Sequence, residues 1–285
     1  TDLGSLIITS AADVQFDNAV NVAGIIDINT TTMTLDDVMN TINDGTITIT
    51  NTGLASINAD ITSEGSVHFN STGEISMGAD VETTDAGSVV QVDNSVLTIT
   101  GDRTLTANNG NIILDEVSTD TPGSNTLELI AGTGNITIDD NIGTNFNKLA
   151  GLTISGANNV SFTDMAATID TTDLTISNVS DLQINGAVNI GGDVDIQTTD
   201  MQLNAALITT SDTANGDVTI DNAGLLNINS NMLLSGLFIQ DSSADTGQTS
   251  ISGNIITVNN NITFDEALTL TGDVRLDIGS GFLSQ

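Results

Sequence analysis

The chain has 285 residues, of which 38% are hydrophobic and only 2% aromatic, with no Trp, Tyr or Cys. Its 37 acidic residues stand against 3 basic ones, Arg103, Lys148 and Arg275, for a net charge of −34. Three cations cannot build a phosphate-binding patch, which excludes nucleic acid as a partner and argues against docking on an anionic membrane; no run approaches the roughly 18 apolar residues of a membrane-spanning helix.

In chain order, the text is a succession of short alternating stretches. Leu6-Ile7-Ile8 opens it, followed by Val14-Gln15-Phe16, Thr46-Ile47-Thr48-Ile49-Thr50, Val67-His68-Phe69 and Leu97-Thr98-Ile99-Thr100. Each puts apolar residues at i and i+2 around a polar one, the period of a strand with one buried face. Thr, Val and Ile favour strands, and the intervening Gly, Asn, Asp and Ser suit turns. Pro122, in Asp120-Thr121-Pro122-Gly123-Ser124, marks a turn. No segment sustains a 3.6-residue period, so no helix is predicted.

From Leu152 onward the alternating triplets begin near residues 152, 160, 167, 174, 182, 188 and 194. Such steps are too short for ordinary hairpins. They suit three-residue strands joined by tight corners, three or four sides to a coil of an all-β parallel β-helix, a β-solenoid with Gly/Asn/Asp/Ser corners. A narrow solenoid interior can be filled by stacked Ile and Leu without aromatic rings. Residues 212–241 and 245–273 align as two copies offset by about thirty residues. The four Val/Ile-x-Phe triplets at Val14, Val67, Val160 and Ile262 read as inward-facing residues of equivalent strands. The expected core includes Ile49, Ile99, Ile138, Ile154, Ile176, Ile184, Ile196, Ile220, Ile228 and Leu270. Leu268-Thr269-Leu270 and Val274-Arg275-Leu276-Asp277-Ile278 are ordinary strand text, so both termini read as mid-repeat. The whole of 1–285 is expected to form a single continuous solenoid, part of a longer protein or a subunit that associates end to end through open sheet edges. About 10–14 coils would give a rod of roughly 45–70 Å.

The phrase Leu127-Glu128-Leu129-Ile130-Ala131-Gly132-Thr133-Gly134-Asn135-Ile136-Thr137-Ile138 is followed by Leu149-Ala150-Gly151-Leu152-Thr153-Ile154. Together with Ala107-Asn108-Asn109-Gly110-Asn111-Ile112-Ile113-Leu114 it resembles the repeats of filamentous-haemagglutinin-like bacterial exoproteins. The resemblance implies a right-handed parallel β-helix, a hand that also follows the general rule for parallel crossovers. It further implies secretion to the bacterial surface or medium, and adhesion, biofilm or fibre formation, with a cell-surface or glycan ligand. The amino-terminal secretion domain of that family is not evident here.

Candidate chemistry is sparse. The acidic pairs Asp36-Asp37, Asp115-Glu116, Asp139-Asp140 and Asp265-Glu266 suggest an alternative, a β-helical polysaccharide-degrading enzyme using two carboxyls as acid and base. The lack of Trp and Tyr for sugar stacking weighs against it, so solvated corners and no enzymatic activity are expected. No cofactor is required. Calcium is the candidate cation, with Asp139, Asp140, Asp193 and Asp195 as its candidate ligands; Gly191-Gly192-Asp193-Val194-Asp195-Ile196 reads better as a turn before a strand than as a calcium motif. Thr-x-Thr runs suggest an ice- or mineral-binding surface, although their spacing along the chain is irregular. The lone His68 reads as an outward residue beside Phe69. Asn runs such as Asn259-Asn260-Asn261 suit amide ladders at stacked corners.

Overall fold

The computed structural model describes residues 3–144, 147–211, 215–241 and 247–285. The internal match near 212–214 and 242–246 falls partly outside these residues. All described regular structure is β, thirty strands in one continuous sheet, and the chain winds into a β-solenoid of about 12 turns. Every strand pairs parallel with its equivalent one turn away. At about 4.8 Å per turn the stack is on the order of 60 Å long. Among the described residues, no helix is long and apolar enough to cross a membrane.

Each turn has three sides. Leu152, Val160, Ile169, Leu174, Leu182, Val188 and Val194 are the buried starts of seven successive sides, so the triplet spacing read from the sequence is the spacing of sides. The first face carries the column Ile26, Ile47, Val67, Val90, Ile112, Ile136, Val160 and Leu182. The second carries Met33, Ala55, Ile75, Leu97 and Val117. The third carries Met39, Ile61, Val81, Leu105, Leu129, Ile154, Ile176, Ile196 and Ile220. Nearly all of these side chains are fully buried. Burying each large aliphatic side chain stabilises the fold by roughly 1.5–3 kcal/mol, and the identical column above and below leaves few voids. Phe238 and Phe264 add a tilted ring pair, centroids 5.4 Å apart.

Some corners are tight enough that pairing never breaks, so strands are longer than three residues. Thr168–Ile184 runs round all three faces as one bent strand. Inward polar residues gather at corners, where bending frees backbone groups that need partners. Thr41 Oγ1 and Ser63 Oγ lie 2.7 Å apart, and both donate to the carbonyl of Gly45, at 2.7 and 2.8 Å.

Several expectations are corrected. The thirty-residue offset is one side too long: Leu226 stacks on Thr249, Met232 on Ile255 and Phe238 on Ile262, because sides of similar text match at any rotation of the helix. The Phe triplets do face inward at Phe69, Phe162 and Phe264. They are equivalent only for Val67 and Val160, however; Val14 lies on the second face and Ile262 on the third. Leu270 is 53% exposed, because it lies above Ile251 on a turn that no further turn of this chain covers.

Candidate functional site

An open groove lies at the corner between the first and second faces. This corner is of unequal length on successive turns. It holds Asn70–Glu74 between Phe69 and Ile75, then Asp93–Val96 between Val92 and Leu97. On the next turn only Asp115 and Glu116 separate Leu114 from Val117, because Val92 pairs with Leu114 while Val96 pairs with Glu116. Asp93, Asn94 and Ser95 therefore stand against Asp115 alone, and Asn94 takes a left-handed conformation, φ 59°, to make the bend. On the following turn Asp139–Asn141 widen the corner again, with Ile142 bridged to Val117. The corner that draws in between wider ones leaves a groove of about 500 Å³.

Four carboxyls line it: Glu74, Asp115, Glu116 and Asp140, with Thr72, Asn94, Ser95, Val96 and Thr98. No cation is among the lining residues. Burial pushes the Asp115 carboxyl above its ordinary value; the Asp140 charge adds to this, the Asn94 N–H opposes it, and Asp139 and Asp93 add further repulsion. Burial likewise raises Glu116, helped by Asp140 and Asp115. Asp140 accepts from both the backbone and the side-chain nitrogen of Asn141, each at 2.7 Å. The hydroxyl oxygen of Ser95 lies buried in this corner without a hydrogen-bond partner.

The structure thus brings together one carboxyl pair and half of another, Asp115-Glu116 and Asp140. Sequence reading missed Glu74 and Ser95. The available signal was the Asp93-Asn94-Ser95 interruption of an otherwise regular alternation. The other acidic pairs are ordinary corners: Asp36 accepts from Asn58 Nδ2 at 2.9 Å, Asp37 accepts from the Val38 N–H at 2.8 Å, and the Glu266 N–H donates to Gln240 Oε1 at 3.1 Å.

The calcium candidates are separated by the fold. Asp139 and Asp140 belong to the acidic corner, where Asp139 accepts from Thr163 Oγ1 at 2.5 Å. Asp193 begins the third face and Asp195 points outward on it, between Thr175 and Thr219. Among the described residues, no three His, Asp or Glu side chains are grouped to hold a metal ion. His68 stacks outward between Thr48 and Gln91, beside the buried Phe69.

Two surface files are visible only in three dimensions. Thr34, Ser56, Ser76 and Thr98 stack on four consecutive turns of the second face, and the buried Ser118 continues their register; the irregular spacing in the sequence is absorbed by the corners. Asn185, Asn204 and Asn229 form an amide ladder, with Nδ2-to-Oδ1 bonds of 2.9 and 2.8 Å. Asn259, Asn260 and Asn261 do not. They bond instead to backbone groups of Ser280, Ser235 and Phe282 on neighbouring turns, at 3.1, 2.8 and 2.9 Å.

The stacked columns and bent parallel strands define a β-helical repeat protein with one acidic corner groove. Comparison with protein-family models, curated proteins and solved structures finds no match for this chain.

Proposed function

We propose that the chain is an extracellular structural or adhesive β-solenoid of the filamentous-haemagglutinin-like kind, secreted to a bacterial surface or medium. The observation that supports this is the unbroken stacking of three inward columns through about 12 turns. A parallel stack of this kind is stiff, because bending it would open the core and the inter-turn hydrogen bonds together. It presents flat outward faces on which short polar side chains repeat at the turn spacing, a geometry suited to multivalent contact with a repetitive surface or glycan. Its role is length, stiffness and surface, without catalysis.

Negative-stain electron microscopy with and without calcium, together with binding of protein-coated beads to cells and polysaccharide films, tests this reading. Straight rods that coat surfaces or join into fibres are expected. Globular particles that bind no surface and never associate would refute it.

The groove supports one competing reading, polysaccharide hydrolysis. Asp115 and Glu116 are carboxyls of raised pKa in a concave site, a feature common to general acids. Against it, no aromatic ring lines the groove to stack on a sugar. Reducing-sugar release from acidic polysaccharides, abolished in Glu116→Gln, would establish the enzyme and displace the passive role.

A further inference from the structure

We propose that the second face pairs two copies of this chain side by side and antiparallel, through an uncharged aliphatic facet on its C-terminal half. This lateral contact is distinct from association through the ends, and it stands whether or not the rod is an adhesin.

The outward file of the second face changes character along the rod. Its hydroxyls Thr34, Ser56, Ser76 and Thr98 give way, past Asn189, to Ile208, Leu233 and Ile256 on three successive turns. Leu233 is 47% exposed, and Val258, two residues beyond Ile256, is 58% exposed. A single exposed aliphatic is ordinary, but here four meet. No Asp or Glu occurs in 185–192, 204–211, 229–237 or 252–261, the passages that form this facet and its corners, although the chain carries 37 acidic residues. The amide ladder of Asn185, Asn204 and Asn229 borders it. Two chains of charge −34 bury apolar surface against each other at least cost where carboxyls are absent.

Charge sets which way round the copies lie. Two of the three cations in the chain bracket the facet. Arg275 stands at its C-terminal end, in the corner before Leu276, where its N–H donates to Asn254 Oδ1 at 2.8 Å and its guanidinium, 69% exposed, donates to Asp277. Lys148 lines a groove at the N-terminal end with Asp170, Asn189 and Ile208. The exposed Asp164 lies at that end too, in the corner one turn before Gly186. Ile169, Val188, Leu207, Met232, Ile255 and Leu276 mark six consecutive turns of this face. A two-fold axis lying along the strands, midway between Leu207 and Met232, reverses the rod and keeps each corner over the same corner of the partner. It sets Leu233 against the partner's Ile208, Arg275 over the partner's Asp164 and Lys148 over the partner's Asp277. Six turns about 4.8 Å apart and a face roughly 15 Å wide bury on the order of 800 Å² in all, below the ~1,200 Å² of stable complexes, so the pairing is weak and reversible.

Sedimentation velocity of the full chain from about 5 to 500 µM, at about 150 mM salt where diffuse repulsion is screened, tests the pairing. A reversible monomer–dimer equilibrium is expected. Leu233→Ser should weaken it about ten-fold. Ile113→Ser, which trims an outward aliphatic of the first face between Gln91 and Thr137, should leave it unchanged. Arg275→Glu and Asp164→Arg should each weaken dimerisation several-fold, and the two together should restore it. Asp164→Arg is the sharpest arm, because a smaller net charge by itself favours association. These positions all face outward, thermal melts check that each variant is folded, and the charge swap decides the matter without Leu233→Ser. A chain that is monomeric at every concentration would overturn the proposal. So would dimers indifferent to Leu233→Ser, or a double variant no tighter than the single ones. A monomer whose adhesion to a neutral polysaccharide film is lost in Leu233→Ser would give the facet to a glycan and likewise overturn the pairing.

Discussion

The carboxylate of Asp193 accepts the backbone N–H of Asp217 at 2.9 Å, one turn away, while its own N–H donates to Asp173 at 3.1 Å. Asp217 continues the file by accepting from the Leu237 N–H at 2.9 Å. The same device recurs at Asp102 to Thr126, Asn141 to Thr168 and Asn254 to Arg275. Much of the acidity at corners is thereby explained: a short Asx side chain reaches the N–H of the turn above, which the bend would otherwise leave unpaired.

Asp193→Ala is expected to cost about 1.5–3 kcal/mol, the range for hydrogen bonds to a charged group, with Asp193→Asn costing less because its carbonyl oxygen still accepts. Amide hydrogen exchange should accelerate most at Asp217. Unchanged protection there would show that the corner holds without this contact.

Gln240 replaces an aliphatic residue in the third-face column, between Ile220 and Phe264. It is fully buried and satisfied by Asn222 Oδ1 at 3.0 Å, the Asp241 carbonyl at 3.0 Å and the Glu266 N–H at 3.1 Å. Gln240→Leu suits the column sterically but strands the Glu266 N–H. A loss of about 1–3 kcal/mol is expected, read from the denaturant midpoint. Increased stability would mean that water reaches this corner.

Gly134 approaches the turn below so closely that an added Cβ would lie 1.9 Å from the Gly110 carbonyl oxygen. Gly134→Ala should destabilise the rod by about 1–3 kcal/mol through forced backbone displacement. Gly151→Ala is its control, since the nearest atom to a Cβ there is 3.5 Å away. Equal melting temperatures for the two variants would contradict the close stacking.

Asp115 and Glu116 titrate above their ordinary values in the folded chain, first through burial and then through Asp140. Their folded pKa values exceed the unfolded ones, so their ionisation destabilises the fold, and that penalty is relieved as pH falls through the folded values. The melting temperature should therefore rise on acidification from neutrality toward the upper carboxylate range. Glu116→Gln should be more stable than the parent at pH 7 and should lose this advantage at low pH. Asp102 has the opposite sign. Bonds from Thr126 lower its pKa, so its contribution is present above the unfolded value and disappears as pH falls through the folded one. A melting temperature that only falls below pH 7 would disprove the penalty.

With a net charge of −34, the native rod repels itself along its length, and the repulsion is screened over about 10 Å at 0.1 M salt. The melting temperature should climb between roughly 0.01 and 0.1 M salt and flatten above that. Salt independence would show that the unfolded chain suffers equal repulsion.

Leu174-Thr175-Ile176 and Leu182-Gln183-Ile184 illustrate what was legible. Alternation alone says which side chains point inward, and all four aliphatic residues are buried. The phrase Ala131-Gly132-Thr133-Gly134-Asn135 also has a local logic, with Ala131 buried, Gly132 at φ 61° and Gly134 pressed on the turn below. The groove was not legible. Asp115 and Asp140 are acidic corner residues like many others in the text, and nothing local says that the corner between them and Asn94 is drawn inward.

Inwardness is a property of two neighbouring residues, so alternation and turn residues are enough to mark strand, core side chain and turn. Which side lies over which depends on the summed length of three corners, and only the wound chain settles it. That sum set Met232 over Leu207 and Ile255 over Met232, and it shortened one corner to two residues so that carboxyls from separate turns share a single groove.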